Sequence, residues 1–260
     1  MPIRRTVAAP VTNLWSSPSA VRDVDAAMLG DQPDVAGWLD DLDATDSPEH
    51  GRAGLHGRLL TQLSRGEPVD VGPADSAPDG WVPVTCPWQP SHTGSGAPGG
   101  GYPGWVLAAH LRPPADAPAE GSPRALAPRA PDAPETDETE LAPGLLDAAR
   151  QYLGVPYLWG GCCALALDCS GLVHWAARSL GAVVPRDADD QYDASKPLAV
   201  EYARPGDLLF FAGPSGRPHH VGILSAPGRM LHAPETGAVV VEQELGEDRK
   251  VSLLGAGRLW

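Results

Sequence analysis

The spacing of apolar residues changes along the chain. Before residue 112 the apolar residues form short alternating runs separated by Gly, Pro and Asp, a pattern typical of β-strands joined by turns. These runs predict a small β-barrel, with a less regular stretch at 21–65 that holds one short helix and a long insertion. The predicted strands are 11–15, 67–71, 80–85 and 104–111.

After residue 142 helical spacing comes first. One helix is predicted from Pro143 to Gly154 with an apolar stripe at Leu145, Leu146, Ala149 and Leu153, and a second runs from Cys169 to Leu180. Four strand-like runs follow. Helices followed by an antiparallel sheet are typical of an α+β fold. The predicted strands are 207–212, 220–225, 229–233 and 238–245.

The two halves are separated by a stretch of unusual composition. Residues 112–141 are rich in Pro and Ala and contain almost no large apolar side chain, so we predict an extended linker there. The predicted organisation is a β-barrel domain at 1–111, this linker, and an α+β domain at 142–260.

Charge and composition exclude several classes of protein. The 260 residues carry 19 Lys and Arg against 33 Asp and Glu, a formal charge of −14, which disfavours nucleic acid and anionic membranes as partners. No run reaches the roughly 18 apolar residues of a membrane span. We identify no signal peptide and no disulfide framework among the four cysteines, so a cytoplasmic location is expected.

Cys169 is the strongest candidate for chemistry. It begins the second predicted helix and shares one face with Leu172, Val173, Ala176 and Leu180. The positive field of the helix N-terminus favours the thiolate, which is the nucleophilic form. On position alone, a buried structural cysteine is an equally good interpretation.

A nucleophilic cysteine needs a base, usually a histidine. His220 lies at the start of a predicted strand, where alternation places it with Gly222 on one face, and Gly222 should leave open space beside it. His232 lies on the next strand, so a hairpin could bring the two rings together. His219 should point to solvent, and Glu235 is the second candidate for orienting His220. Two unrelated surface histidines are the alternative.

Two residues near Cys169 have two interpretations each. Asp168 caps the helix or points its carboxylate into the cleft, and the two roles are compatible. Tyr157, in PYLWGG, is a core aromatic or swings its hydroxyl over the thiol across a glycine turn.

Two other motifs are rejected. Gly94, Gly96 and Gly99 match a dinucleotide-binding spacing, but no strand precedes them and Pro98 blocks a following helix. Zinc is disfavoured because the adjacent Cys162 and Cys163, with Cys169 and the two histidines, lack paired C-x-x-C spacing. We therefore predict no metal and no cofactor.

The motifs PYLWGG, DCSGLV, PRDADDQ, PGDLLFF, HHVGI and MLHAP, in this order, closely resemble the NlpC/P60 cysteine peptidases over residues 142–250. The resemblance implies a papain-like α+β fold with Cys169 as nucleophile, His220 as base and His232 as the orienting residue. It further implies that Tyr157, Asp168, Ser170 and Asp187 contact substrate; beside Asp187, Ala188 offers only its backbone.

The N-terminal part resembles bacterial SH3 domains more loosely, through LLTQLSRGEPVDV, GWVPV and GYPGWV. In the dipeptidyl-peptidase branch of the family such a domain narrows the cleft and holds the free amino end of the substrate. Glu67 and Tyr102 match those positions, with a turn residue and a barrel aromatic as the alternatives. Only one clear SH3-like unit is present, and the insertion at 21–58 is unfamiliar.

The resemblance implies cleavage of peptidoglycan stem peptides between D-glutamate and a diamino acid. A free N-terminal L-alanine and a cytoplasmic recycling role are the expected details. The alternatives are a secreted or wall-associated endopeptidase, a non-catalytic wall-binding module, and an amidase or acyltransferase. The sequence leaves open the diamino acid, the oligomeric state and the roles of Cys162, Cys163 and the insertion.

Overall fold

The computed structural model describes residues 3–45, 47–73, 78–91, 100–114, 124–125 and 141–259. Most of the predicted linker, and the glycines of the rejected dinucleotide motif, lie outside these residues. The chain divides into two units, the first containing Met1–Ser122 and Leu158–Ala166, the second containing Pro123–Tyr157 and Leu167–Trp260. The predicted domain boundaries at 111 and 142 stay predictions.

The first unit is built on one seven-stranded sheet with the strand order β3-β2-β6-β5-β4-β1-β7. In the described residues this sheet is open, with β3 and β7 at its edges, so the predicted closed barrel is not found and the SH3-like assignment stays a prediction. The strands are β1 Ile3–Val7, β2 Val11–Trp15, β3 Leu59–Ser64, β4 Pro68–Val71, β5 Trp81–Pro90, β6 Gly101–Leu107 and β7 Leu111–Arg112.

The sequence between β2 and β3 contains the insertion, and it forms helix α1, Val35–Asp43, with short 3₁₀ turns around it. Asp34 caps α1 by accepting a hydrogen bond from the Gly37 backbone N–H. Trp38, which is fully buried, donates from its indole N–H to Asp25. A buried apolar side on α1 therefore gives this unit a second core.

Residues Leu158–Ala166 complete that second core. Leu158, Cys163 and Ala166 belong to the same buried cluster as Trp38, and His56 stacks on Trp159 with ring centres 3.8 Å apart. Burial in an apolar cluster explains Cys163 as a packing residue. The insertion thus covers a stretch of chain that leaves the second unit after Tyr157 and returns at Leu167.

The second unit is an α+β assembly, as predicted. Its main sheet has six antiparallel strands in the order β12-β17-β13-β14-β15-β16. The strands that follow β7 in chain order, of which β9 belongs to the first unit, are β8 Arg124–Ala125, β9 Cys162–Cys163, β10 Ala166–Leu167, β11 Ala182–Val183, β12 Lys196–Leu198, β13 Leu208–Ala212, β14 Pro218–Ala226, β15 Arg229–His232, β16 Val241–Glu244 and β17 Leu253–Arg258. The remaining helices are α2 Leu141–Arg150, α3 Cys169–Ser179, α4 Ala188–Ala194 and α5 Glu247–Ser252.

Both predicted helices form, but each ends earlier than its apolar stripe predicted. Helix α2 ends at Arg150, so Leu153 falls in the following turn and is 48% exposed. Helix α3 ends at Ser179, and Leu180 is 39% exposed just before Gly181, whose φ of +78° suits a glycine. The buried stripe on α3 therefore stops at Ala176.

No described helix has the combined length and apolar character that a membrane crossing requires.

Candidate functional site

Cys169 is the first residue of α3 and is held there by a helix cap. The Asp168 carboxylate accepts a hydrogen bond of 2.6 Å from the Gly171 backbone N–H, which confirms the predicted cap. Leu172, Val173 and Ala176 are buried below Cys169 on the same helix. Cys169 as a whole is 8% exposed, so it lies at the top of a packed face and is almost inaccessible to solvent.

The sulfur of Cys169 faces strand β14. Backbone N–H groups of Val221 and Ser170 donate toward it, and Val221 directly follows His220 in the chain. Burial is the largest influence on this thiol and, followed by the Asp168 charge, it raises the pKa of Cys169 to about 12. Burial therefore acts against the helix terminus and favours the protonated thiol over the predicted thiolate.

His220 and His232 form the predicted pair. Nε2 of His220 lies 2.8 Å from Nδ1 of His232, and the two rings are nearly perpendicular. Strands β14 and β15 pair so that the two histidines face each other diagonally. His219 is exposed, as predicted, and so is Glu235, which leaves His232 as the residue in contact with His220.

The expectation of open space beside Gly222 is wrong. A side chain at Gly222 would meet the Met230 sulfur at 2.7 Å and the His232 Cβ at 3.3 Å. These neighbours already fill the space, so the missing side chain is what allows His232 to approach strand β14.

Gln243 is a site residue that sequence analysis missed. Its Nε2 lies 3.0 Å from Nε2 of His232, on the side away from His220. Met230 pairs with Gln243 in the β15–β16 register and His232 pairs with Val241, so Gln243 is the diagonal neighbour of His232. The only sequence signal was its place in the predicted strand 238–245, because the register across the loop before it could not be assigned.

Both histidines are electrically neutral at ordinary pH. Burial lowers the pKa of His220 well below its usual value, and the positive charge of Arg249 lowers it further, followed by His232 and His219. Burial and Arg249 also lower the pKa of His232, to about 4. The resting site is thus a thiol beside two neutral imidazoles.

Asp168 has a second partner that the sequence analysis did not assign. Arg186, which is 1% exposed, binds both carboxylate oxygens of Asp168 at 2.9 and 2.7 Å and also donates to the Ser170 hydroxyl at 3.0 Å. Ser170 in turn donates to Asp168 at 3.3 Å. This buried ion pair ties the start of α3 to the residue preceding Asp187.

Tyr157 lies within electrostatic reach of the thiol. It is 7% exposed, and burial raises its pKa, with the charges of Cys169 and Asp168 acting in the same direction. A raised pKa keeps the phenol protonated, so its hydroxyl remains a hydrogen-bond donor.

Asp187 precedes helix α4 and belongs to an acidic group. The carboxylates of Asp187, Asp189 and Asp190 offer oxygen atoms within 4.8 Å of one another, the arrangement among the described residues best suited to hold a cation. Arg217 lies 3.5 Å from Asp189 and supplies positive charge there. Acidic groups of this kind are common on surfaces without a metal.

Glu67 and Tyr102 lie in the first unit and are both buried, at 1% and 9% exposure. The Glu67 carboxylate accepts a hydrogen bond of 2.8 Å from the Ser64 backbone N–H and one of 3.4 Å from the Gln89 amide. Glu67 is therefore a polar residue in the interior of this unit, more enclosed than a turn residue.

A thiol at a helix N-terminus, a neutral imidazole on the neighbouring strand and a second imidazole behind it define a cysteine-nucleophile hydrolase site. Residues 154–254 match the NlpC/P60 family model. The chain is 30% identical over 280 residues to the gamma-D-glutamyl-L-lysine dipeptidyl-peptidase of Bacillus subtilis (strain 168), covering 89% of this chain and 90% of that protein. The chain belongs to the NlpC/P60 family.

Two further comparisons extend this result. Peptidoglycan endopeptidase RipB of Mycobacterium tuberculosis (strain ATCC 25618 / H37Rv) is 30% identical over 209 residues, covering 67% of this chain and 83% of RipB. The crystal structure of an NlpC/P60 family protein from Bacillus cereus ATCC 10987 superposes with a TM-score of 0.79, covering 98% of this chain and 99% of that one at 22% identity. The fold is thus shared over nearly the whole chain.

Proposed function

We propose that this protein is a cysteine peptidase that hydrolyses the bond between the γ-carboxyl group of D-glutamate and a diamino acid in peptidoglycan stem peptides. The observation that carries the proposal is the contact of 2.8 Å between His220 and His232. His220 lies next to Val221, whose backbone N–H faces the Cys169 sulfur. The similarity to a gamma-D-glutamyl-L-lysine dipeptidyl-peptidase over 90% of its length supports the substrate class.

In the first step the Cys169 sulfur attacks the γ-carbonyl carbon while its proton moves to His220. Because the thiol and the imidazole are both neutral at rest, proton transfer accompanies the attack. A C–S bond forms, and His220 then returns the proton to the departing amine as the C–N bond breaks. The products of this step are a thioester on Cys169 and the free diamino acid.

In the second step water attacks the thioester carbonyl and His220 accepts its proton. The C–S bond breaks, the sulfur regains a proton, and the dipeptide L-Ala-D-Glu leaves with a new carboxylate. No cofactor takes part in either step.

The negative charge that develops on the carbonyl oxygen needs hydrogen-bond donors. The Cys169 backbone N–H lies at the unsatisfied start of α3 and points out of the helix. The protonated Tyr157 hydroxyl is the second proposed donor, because its raised pKa prevents it from ionising beside the oxyanion.

His232 orients His220 and Gln243 orients His232. When His220 becomes an imidazolium, its Nε2–H donates to Nδ1 of His232, whose own proton then lies on Nε2. The Gln243 amide can meet that proton with its oxygen after a rotation of the amide group. The chain His220–His232–Gln243 therefore stabilises both protonation states of the base.

We further propose that Asp168, Ser170 and Asp187 contact the substrate, with Asp168 accepting a hydrogen bond from a free N-terminal ammonium. The expected substrate contacts of Glu67 and Tyr102 stay predictions. Asp168 is already paired with Arg186, so it acts as an acceptor through its remaining lone pairs. A blocked amine would leave buried acceptors without partners, and this cost gives discrimination.

The preferred substrates are therefore soluble L-Ala-γ-D-Glu-diamino acid fragments, and we propose a cytoplasmic recycling role. The four cysteines all lie in the described residues and none forms a disulfide, which suits a reducing compartment. The similarity to RipB supports a second candidate, a wall-associated endopeptidase acting on intact peptidoglycan.

The two candidates differ in their tolerance of a blocked amine. Purified protein would be given L-Ala-γ-D-Glu-L-Lys and its N-acetylated form, and products would be identified by mass spectrometry. We expect L-Ala-D-Glu from the free peptide with a kcat/KM about 10- to 100-fold above that of the acetylated peptide. Equal cleavage of both would favour the endopeptidase, and cleavage of neither would contradict the proposed function.

A further inference from the structure

The positively charged Arg249 packs on the ring of Phe211, which neighbours the proposed base His220. Arg249, on helix α5, has its guanidinium carbon 5.6 Å from the centre of the Phe211 ring. Phe211 lies directly opposite His220 in the β13–β14 register, and the two ring centres are 5.7 Å apart. Phe211 is therefore the shared neighbour of the Arg249 guanidinium and the His220 ring.

In the described part of the chain, the Arg249 guanidinium has no counterion within ion-pair distance. Among the described residues no carboxylate lies within 4 Å of its guanidinium, whereas the neighbouring Lys250 pairs with Glu247 at 2.7 Å. Arg249 is partly exposed, and its charge acts on both His220 and His232. A positive charge at this position disfavours protonation of His220, which the reaction requires. If Arg249 served the structure alone, its charge would therefore weaken catalysis.

The chemistry of the reaction places a carboxylate near this cation. His220 must deliver a proton to the departing amine, so the nitrogen of the released residue passes beside the His220 ring. The α-carboxylate of that residue lies about one residue length, ~3.5 Å, further on. The partly exposed Arg249 guanidinium acts on the His220 ring beside which this carboxylate passes, and a guanidinium can bind a carboxylate through two parallel hydrogen bonds.

We propose that Arg249 binds the carboxylate of the released diamino acid and so selects substrates in which that residue is C-terminal. The inference rests on the proposed function and names a residue of its leaving-group side. It predicts that tripeptides with a free carboxylate are cut in preference to peptides extended or blocked beyond the diamino acid.

The test compares three substrates: L-Ala-γ-D-Glu-L-Lys, the same peptide with a C-terminal amide, and the isoglutamine form that lacks the α-carboxylate of D-glutamate. Each would be assayed with the wild type, Arg249→Gln and Arg249→Lys. Lys250→Gln is the matched control, because it removes one positive charge from the same helix. Far-UV circular dichroism and thermal unfolding would check that each variant is folded.

For the wild type we expect kcat/KM about 10- to 100-fold higher for the free acid than for the amide. Arg249→Gln should lose this preference, because only the cleavage of the free acid should become slower. Arg249→Lys should keep part of the preference, and Lys250→Gln should keep all of it. The inference would be overturned if the loss of the preference in Arg249→Gln depended on the α-carboxylate of D-glutamate, which the isoglutamine form lacks. It would also be overturned if Arg249→Gln slowed cleavage of the acid and of the amide equally.

Failure of the inference and failure of the proposed function give different results. Equal cleavage of acid and amide by the wild type would refute the role of Arg249 while leaving the peptidase intact. Cleavage of none of the three peptides would refute the proposed function and the inference together.

Discussion

At the scale of single residues, the site is controlled by burial. The same desolvation that raises the pKa of Cys169 to about 12 lowers the pKa of His232 to about 4. Burial therefore favours the neutral thiol and the neutral imidazole over an ion pair before substrate binds. The helix terminus could be found in the sequence, but burial could not, because it depends on how α3 packs against β14.

This neutral pair predicts an unusual pH profile. The histidine pKa values are lowered below the ordinary 6.5, so the base stays unprotonated as the pH falls through 6.5. We expect kcat/KM to be flat between about pH 8 and pH 5 and to fall only below that, as the coupled pair takes up a proton. An acid limb centred near pH 6.5 would contradict this.

The profile needs a stability control. Buried histidines, including His174 with its pKa lowered to about 3, bind protons more readily in the unfolded chain. Unfolding is therefore favoured as the pH falls below about 6.5. Circular dichroism at each pH would show whether the enzyme that is assayed is still folded.

Gln243 gives a second prediction at this scale. Gln243→Ala removes the hydrogen-bond partner of His232, so His220 is held less firmly. We expect kcat to fall about 2- to 10-fold with KM nearly unchanged. The exposed neighbour Glu244 offers the control, since Glu244→Ala should leave kcat as it is. A loss in KM alone would show that Gln243 contacts substrate and does not position the base.

Some of the site residues could be predicted from the sequence, and the others depend on how separate elements pack together. Cys169, His220 and His232 could be selected from the sequence because a helix start and a hairpin are local features. Gln243, Arg186 and Arg249 could not, since each acts through a partner that a separate element supplies.

At the scale of elements, the N-terminus of α3 is fixed by a buried ion pair. Asp168 caps the helix and also binds Arg186 through both oxygens. Both side chains are almost inaccessible to water, so each depends on the other for compensation of its charge.

Asp168→Ala should therefore destabilise the protein strongly. The change removes a helix cap and leaves the Arg186 guanidinium buried without its carboxylate, and we expect a loss of about 3–5 kcal/mol in the free energy of unfolding. Asp147→Ala, which breaks an exposed pair with Arg150, should cost less than about 0.5 kcal/mol. Urea denaturation would measure the free energy of unfolding of both variants. Similar losses for the two would show that the buried pair contributes no more to stability than the exposed one.

The order of elements could largely be predicted, but their ends could not. Both helices and the strands that carry the histidines lie close to where periodicity placed them. Strands β1 and β3 of the first sheet and strands β12 and β17 of the second sheet were absent from the predicted set, and β5 extends to Pro90. These differences arise because strand length depends on pairing with neighbours that are distant in sequence.

At the scale of the whole molecule, the chain is two units joined by more than the predicted linker. Residues Leu158–Ala166 belong to the first unit although Tyr157 and Leu167 belong to the second. Composition revealed the Pro/Ala-rich stretch at 112–141, but no sequence pattern predicted that residues Leu158–Ala166 would belong to the first unit. The insertion at 21–58 supplies part of the core in which those residues are buried.

The central claim is that Cys169 is the nucleophile of a peptidase. The most direct measurement is the rate of L-Ala-D-Glu release from L-Ala-γ-D-Glu-L-Lys by the wild type and by Cys169→Ala, with His219→Ala as a control for the adjacent exposed histidine. We expect Cys169→Ala to lose at least about 1000-fold in kcat while circular dichroism shows an intact fold. His219→Ala should retain the wild-type rate. Release by Cys169→Ala at close to the wild-type rate would contradict the claim.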